Sequence, residues 1–178
     1  MEEIKRIKRD LVQSGKIIDY YQDTVAISNG NIVKWDFIKH KGAAAVIPVA
    51  EDGSIIMVKQ YRNAIDRYTL EIPAGGLDSI EEPPKACAVR ELEEETGYKS
   101  ENIEFLIQIY TTVAFCNEKI YIYTAKNLIP GHQRLDEDEF VDIERHPIEA
   151  LVDKIYAGEI QDAKTISGLL AYYNKSLR

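Results

Sequence analysis

The chain of 178 residues carries two cysteines, Cys87 and Cys116. Neither belongs to a C-x-x-C pair, so a disulfide framework or a thiolate zinc site is excluded as an organising principle. The three histidines, His40, His132 and His146, lie far apart with no ligand spacing, and they read as structural or exposed groups. No apolar run reaches the ~20 residues that span a bilayer. The first ten residues, Met1 to Asp10, lack the apolar stretch of a secretory signal, which gives a cytoplasmic expectation. Basic charge is also short. The formal net charge is −8, the opposite of the basic face that a nucleic-acid backbone requires. There is no internal repeat, no low-complexity tract and no Pro/Gly-rich linker.

What remains is an ordinary globular composition, 45% hydrophobic and 29% charged, of a size that suits a substantial core. Residues 1–40 read as β-rich. Asp23 to Ser28 and Asn31 to Ile38 flank Asn29-Gly30, a strong hairpin signal, and this hairpin forms a candidate subdomain ahead of a main domain at 41–178. Ala43 to Val49 reads as a buried strand, followed by Ser54 to Tyr61. A loop then leads to Glu71-Ile72-Pro73-Ala74-Gly75-Gly76. Pro83-Pro84 opens a helix that runs to about Thr96, with Gly97 as the residue that ends it. Ile103 to Thr112 and Lys119 to Ala125 alternate as strands. An acidic patch, Asp136 to Glu139, precedes two helices, Pro147 to Tyr156 and Asp162 to Lys175. Strands and helices mix without a strict repeat, so the fold class is α+β (mixed α/β), helices packed on a mixed sheet.

The segment Arg90-Glu91-Leu92-Glu93-Glu94-Glu95-Thr96-Gly97 places four carboxylates in the last turns of a helix. That end carries partial negative charge, so each anion there costs a few tenths of a kcal/mol or more, and neighbouring carboxylates repel. A bound cation offsets both. At ~100° per residue, Glu91, Glu94 and Glu95 share an arc of about 100°, while Leu92 and Val89 point away toward a core. Three carboxylates on one face offer hard oxygens suited to Mg²⁺ or Mn²⁺. On the carboxylates alone, a solvated acidic helix end is the leading reading.

The full spacing is more specific. Gly76, five residues, Glu82, seven residues, then Arg90-Glu91-Leu92-x-Glu94-Glu95-x-Gly97 resembles the Nudix box, G-x5-E-x7-R-E-U-x-E-E-x-G-U with U apolar, Tyr98 standing at the last position. The resemblance implies a Nudix fold, a mixed sheet sandwiched between helices, and a metal-dependent pyrophosphohydrolase. It implies Glu91 and Glu95 as direct metal ligands, Glu94 completing the site, and Glu82 reaching the metal or orienting Arg90. Gly76 is expected to permit the tight loop before the helix, and Arg90 to hold a carboxylate in a fixed fork.

Gln60-Tyr61-Arg62, Glu71 to Gly76, and Gly158-Glu159-Ile160-x-Asp162-Ala163-Lys164-Thr165-Ile166 resemble the ADP-ribose pyrophosphatase branch. By that resemblance the carbonyl of Ala74 joins the metal site, and Arg62 and Glu71 contact substrate. The acidic patch supplies Glu137 as general base and Glu139 as a further ligand. A homodimer using the N-terminal hairpin is also implied. Thr112-Val113-Ala114 stands where the branch carries Ser-Pro-Gly, which keeps GDP-mannose and other sugar nucleotides open as substrates. Trp35, the single Trp, is either a stacking surface for a base or a packed residue of the hairpin. Two non-enzymatic readings are a nucleotide sensor on the same fold and a purely structural acidic protein.

Overall fold

The structure is a computed structural model that describes residues 4–135 and 140–177. The chain divides into two compact units, one comprising the residues up to Gly42 with Tyr110–Lys119, the other Ala43–Ile109 with the residues from Ile120 onward.

The first unit is a three-stranded antiparallel sheet of β1 (Lys5–Ser14), β2 (Asp19–Ala26) and β3 (Ile32–Lys39) in that order. The Asn29-Gly30 turn joins β2 to β3 as its sequence requires, with Gly30 at φ 85°. The leading strand β1 is absent from the hairpin reading. Its alternation is broken by irregular register between Arg6 and Lys8 and between Leu11 and Gln13, so no clean period of two survives in the sequence. Arg9 makes a fork to Asp23 at 2.6 and 2.7 Å and lies 3.4 Å from the Phe37 ring centroid.

The second unit is built from β4 (Ala43–Pro48), β5 (Ile55–Arg62), β6 (Arg67–Glu71), β7 (Ala74–Gly76), α1 (Pro84–Thr96), β8 (Tyr98–Lys99), β9 (Asn102–Tyr110), β10 (Lys119–Lys126), β11 (Ile129–Pro130), β12 (Val141–His146), α2 (Ile148–Tyr156) and α3 (Ala163–Ser176). A four-stranded sheet runs β7-β4-β10-β9, a three-stranded one β12-β5-β6, and β11 pairs β8. In the larger sheet β4 and β10 are parallel, and every residue of β4 is buried.

That burial explains the continuous apolar run of β4, because a strand covered on both faces has no polar side. Ala43, Ala45 and Ile47 join Ile120, Ile122, Leu151, Ile160 and Leu169 in one cluster. Ala44 and Val46 face the other way, with Tyr123, Ala125, Cys87, Ala88 and Leu92. The sheet therefore has α2 and α3 on one side and α1 on the other, the expected α+β sandwich. Gly168 lets α3 come close, since a Cβ there would stand 3.1 Å from Ile72 Cδ1 and 3.2 Å from Ile122 Cγ2.

Two expectations are corrected, and one strand lies where the sequence was assigned no element. The stretch between β5 and Glu71 is a short 3-10 turn, Asn63–Ile65, and the strand β6. Val141–His146 is a strand paired to β5. Val89 is 41% exposed and does not enter the core, because the core face of α1 is carried by Cys87, Ala88, Leu92 and Thr96. No helix among the described residues is long and apolar enough to cross a membrane.

Candidate active site

The box helix begins with Pro84 at its first position and ends at Gly97, which takes φ 70° and returns its N–H to Glu93 O at 2.8 Å. A Cβ at Gly97 would also meet Gln133 N at 2.9 Å. Two of the last carbonyls of α1, which have no partner inside a helix, receive donors from the following loop. Arg134 N–H donates to Glu94 O at 2.9 Å, and Gln133 Nε2 donates to Glu95 O at 2.7 Å. The acidic end is thus locked against the following loop.

Glu91 and Glu95 are 8% and 4% exposed. Leaving water costs a carboxylate several kcal/mol unless its surroundings compensate. The compensation is visible. Arg90 Nη1 donates to Glu91 Oε1 at 2.6 Å and to Glu94 Oε2 at 2.9 Å, and Arg90 Nη2 donates to Gly76 O at 3.1 Å. Arg90 Nε lies 3.6 Å from Glu82 Oε1. Burial alone would pull the Arg90 guanidinium pKa down; the Glu91 charge and the hydrogen bond to Glu94 outweigh it and hold the pKa above its ordinary value. Glu82 itself precedes the helix and accepts from Asp78 N–H at 2.6 Å.

Glu95 Oε2 accepts from the backbone N–H of Ala74 at 2.9 Å. This ties α1 to the Pro73-Ala74-Gly75-Gly76 turn that forms β7. The glycine that the close approach of Glu91 to this turn demands is Gly75. A Cβ there would stand 2.0 Å from Glu91 Oε1, whereas one at Gly76 would meet nothing within 4 Å. The buried thiol of Cys87 donates to the carbonyls of Gly75 and Gly76 at 3.6 and 3.5 Å. Burial, reinforced by the Glu91 charge, pushes its pKa up to about 12.

Glu71, at the end of β6, is 2% exposed. It accepts Arg62 Nε and Nη2 at 2.8 and 2.6 Å, Thr69 Oγ1 at 2.6 Å, and Lys164 Nζ. Burial pushes its pKa up, but the Arg62 fork and the Lys164 charge prevail and hold the carboxyl at about 2. Arg62 keeps donors to spare, because its guanidinium has five N–H groups and its side chain is 40% exposed. A cavity of about 410 Å³ opens beside it, lined by Arg62, Arg67, Thr69, Glu71, Asp162 and Lys164 among others. A second of about 410 Å³, around Ala50, Asp52, Tyr98 and Arg145, touches none of the candidate residues.

The structure therefore brings together Glu82, Arg90, Glu91 and Glu94, joins Glu95 to Ala74, and joins Arg62 to Glu71. Trp35 lies on β3 in the first unit with 47% of its surface exposed. Glu137 and Glu139 lie outside the described residues. Among the described residues no three acidic, Cys or His side chains converge as ligands of one ion; the Arg90 guanidinium occupies that role between Glu91 and Glu94. The donor chemistry still suits a hard divalent cation. Buried carboxylate oxygens sit at the negative end of a helix, with a glycine backbone cleared against one of them. Sequence reasoning passed over Gln133, and it took Gly75 and Thr165 only as parts of motifs. The sequence placed a helix start at Asp162; that Asp162 caps α3 through Thr165, and what Thr165 touches, comes from the structure.

Comparison with known proteins gives the family. The NUDIX domain family model matches residues 39–169, and the chain belongs to that family. It is 41% identical over 165 residues to an ADP-ribose pyrophosphatase of Bacillus subtilis, covering 92% of this chain and 89% of that protein. It is 40% identical over 166 residues to a methanol dehydrogenase activator of Bacillus methanolicus, with coverage of 92% and 89%. A crystal structure of an ADP compounds hydrolase superposes with a TM-score of 0.86 at 21% identity, covering 98% of this chain and 94% of that one.

Proposed function

We propose that the chain hydrolyses the pyrophosphate bond of ADP-ribose or a related nucleoside diphosphate sugar, using Mg²⁺, with Mn²⁺ as a substitute. The observation that carries this is the pair Glu91 and Glu95, 8% and 4% exposed at the C-terminal end of α1. Anions at that end of a helix are disfavoured by its dipole, and a bound cation offsets the cost. The substrate assignment leans on the name of the Bacillus subtilis relative.

In this reading Glu91 and Glu95 hold the metal, with Glu94, Glu82, the Ala74 carbonyl and Glu139 as the remaining candidates. When bound, the metal neutralises the pyrophosphate oxygens and lowers the pKa of a water. Arg90 keeps Glu91 and Glu94 in fixed rotamers. Arg62, gripped on one edge by Glu71, offers its other edge to a phosphate, where a planar fork gives charge-assisted hydrogen bonds. Glu71 acts through Arg62. Glu137 takes the proton from water as its oxygen attacks phosphorus and the bridging anhydride oxygen leaves. With ADP-ribose the products are AMP and ribose 5-phosphate. We place the enzyme in the cytoplasm, as a homodimer joined through residues 1–40, with 41–178 forming the hydrolase domain.

The test is a substrate panel of ADP-ribose, GDP-mannose, UDP-glucose and a diadenosine polyphosphate, compared by kcat/KM with Mg²⁺. ADP-ribose is expected to lead. A lead for GDP-mannose replaces the substrate while keeping the reaction, in line with the absence of Ser-Pro-Gly at 112–114. No turnover of any member, together with tight nucleotide binding, favours a sensor.

A further inference from the structure

The motif Asp162-Ala163-Lys164-Thr165 lies far from the box in sequence, and the proposed chemistry has no step for it. Its contacts lead to the site. Asp162 caps α3: its carboxylate Oδ2 accepts from Thr165 N–H at 2.9 Å, from Thr165 Oγ1 at 2.6 Å, and from Lys164 Nζ at 2.9 Å. With its hydroxyl proton committed to Asp162, Thr165 Oγ1 is left as an acceptor. It receives the backbone N–H of Ile72 at 3.1 Å, across 93 residues of sequence. Thr165 and Ile72 are both fully buried, so no water replaces that bond if it is lost.

Ile72 belongs to a run of four residues with every member pinned. Glu71 is gripped by Arg62, Thr69 and Lys164. Ile72 is held by Thr165. Pro73, with φ fixed by its ring, accepts Val46 N–H at 2.9 Å. Ala74 gives its N–H to Glu95 Oε2 at 2.9 Å. A Val side chain at 165 would keep the volume and remove the acceptor, freeing the middle of this run while leaving both its ends attached. The Ala74 N–H would then no longer be presented to Glu95 at one fixed point.

We infer that Thr165 is a positioning residue for Glu95, acting through the Ile72-Pro73-Ala74 backbone, so that the cap of α3 sets the geometry of the carboxylate site. The inference rests on Glu95 being a metal ligand, as proposed above.

The experiment is isothermal titration of Mn²⁺ into the full-length wild type and the Thr165→Val, Thr165→Ala and Thr165→Ser variants, without nucleotide. Each variant is required to show the wild-type circular dichroism spectrum and a cooperative melt. Loss of a group that orients a ligand typically weakens metal affinity or activity about 10- to 100-fold. Thr165→Val is expected to lose Mn²⁺ affinity in that range. In steady-state assays it lowers kcat while KM for ADP-ribose stays close to wild type. Thr165→Ser, which keeps the hydroxyl, restores both. If Thr165→Val does not fold, Ala against Ser, both lacking the γ-methyl, isolates the same hydroxyl. Wild-type affinity in the Val or Ala variant overturns the inference, as does a Ser variant no better than Ala. Absence of Mn²⁺ binding in the wild type instead overturns the metal reading on which the inference stands.

Discussion

Replacing Glu71 by Gln removes a charge that four donors surround. Two routes give the size of the effect. The carboxyl is held at about 2 against an ordinary 4.5, a difference that corresponds to about 3 kcal/mol of stability at neutral pH. Independently, removing one member of a buried ion pair costs about 3–5 kcal/mol, because the other charge is stranded. Here the stranded groups are Lys164, 8% exposed, and Arg62. The amide also presents an NH₂ to a set of donors. The sign with pH follows from the depressed pKa. The contribution of Glu71 is complete above about 4.5 and is lost as pH falls through about 2. Urea denaturation of wild type and Glu71→Gln at a series of pH values measures it. The gap between them is expected to be about 3 kcal/mol at pH 7. A loss of this size lowers Tm by about 6–12 °C in a chain of this length. The gap should narrow steadily below pH 4.5. A gap under about 1 kcal/mol at pH 7, the ordinary net worth of an exposed pair, refutes the reasoning. So does a gap that stays constant from pH 5 to pH 2.5.

Two further substitutions probe the turn against α1. Gly75→Ala puts a Cβ where Glu91 Oε1 now lies, at 2.0 Å. It is expected to cost about ten-fold or more in Mn²⁺ affinity by calorimetry, whereas Gly76→Ala leaves the affinity unchanged. Equal losses in the two variants would contradict the packing described. Cys87, buried and with its thiol pushed up to about 12, is expected to escape a thiol-specific reagent at pH 8 until the protein is unfolded. Peptide mapping after labelling reads this directly, and modification of Cys87 in the folded protein refutes it.

The carboxylate helix was legible because its information is local. Pro84, Arg90, the Glu spacing and Gly97 lie within one helix and its caps, and a helix period maps spacing onto a face. The buried strand at β4 was legible for the same reason. Other features depend on partners distant in the chain. Glu71 looked like a loop carboxylate offered to substrate. It is a buried strand end because Lys164, 93 residues away, and Arg62 close over it. Nothing in Arg67–Glu71 alone distinguishes that strand from a loop. Strand β12 reads as charged and irregular until β5 is laid beside it. Gly76 is the glycine the spacing pattern specifies, yet the close approach falls on Gly75, since only the fold shows which backbone atom faces Glu91. Thr165 is the extreme case: a residue of a helix's first turn by sequence, and an acceptor for the active-site turn by tertiary contact.

The central claim is that buried carboxylates at the end of α1 hold a catalytic divalent metal. It is tested most directly by the turnover of ADP-ribose by wild type and Glu95→Gln in saturating Mg²⁺, with products followed by ³¹P NMR. Glu95→Gln keeps the shape of the side chain, and its amide oxygen can still accept from Ala74 N–H. The account predicts AMP and ribose 5-phosphate from the wild type. It predicts loss of most activity in the variant, with its melting curve and circular dichroism preserved. Near-wild-type turnover by a folded Glu95→Gln protein would contradict it.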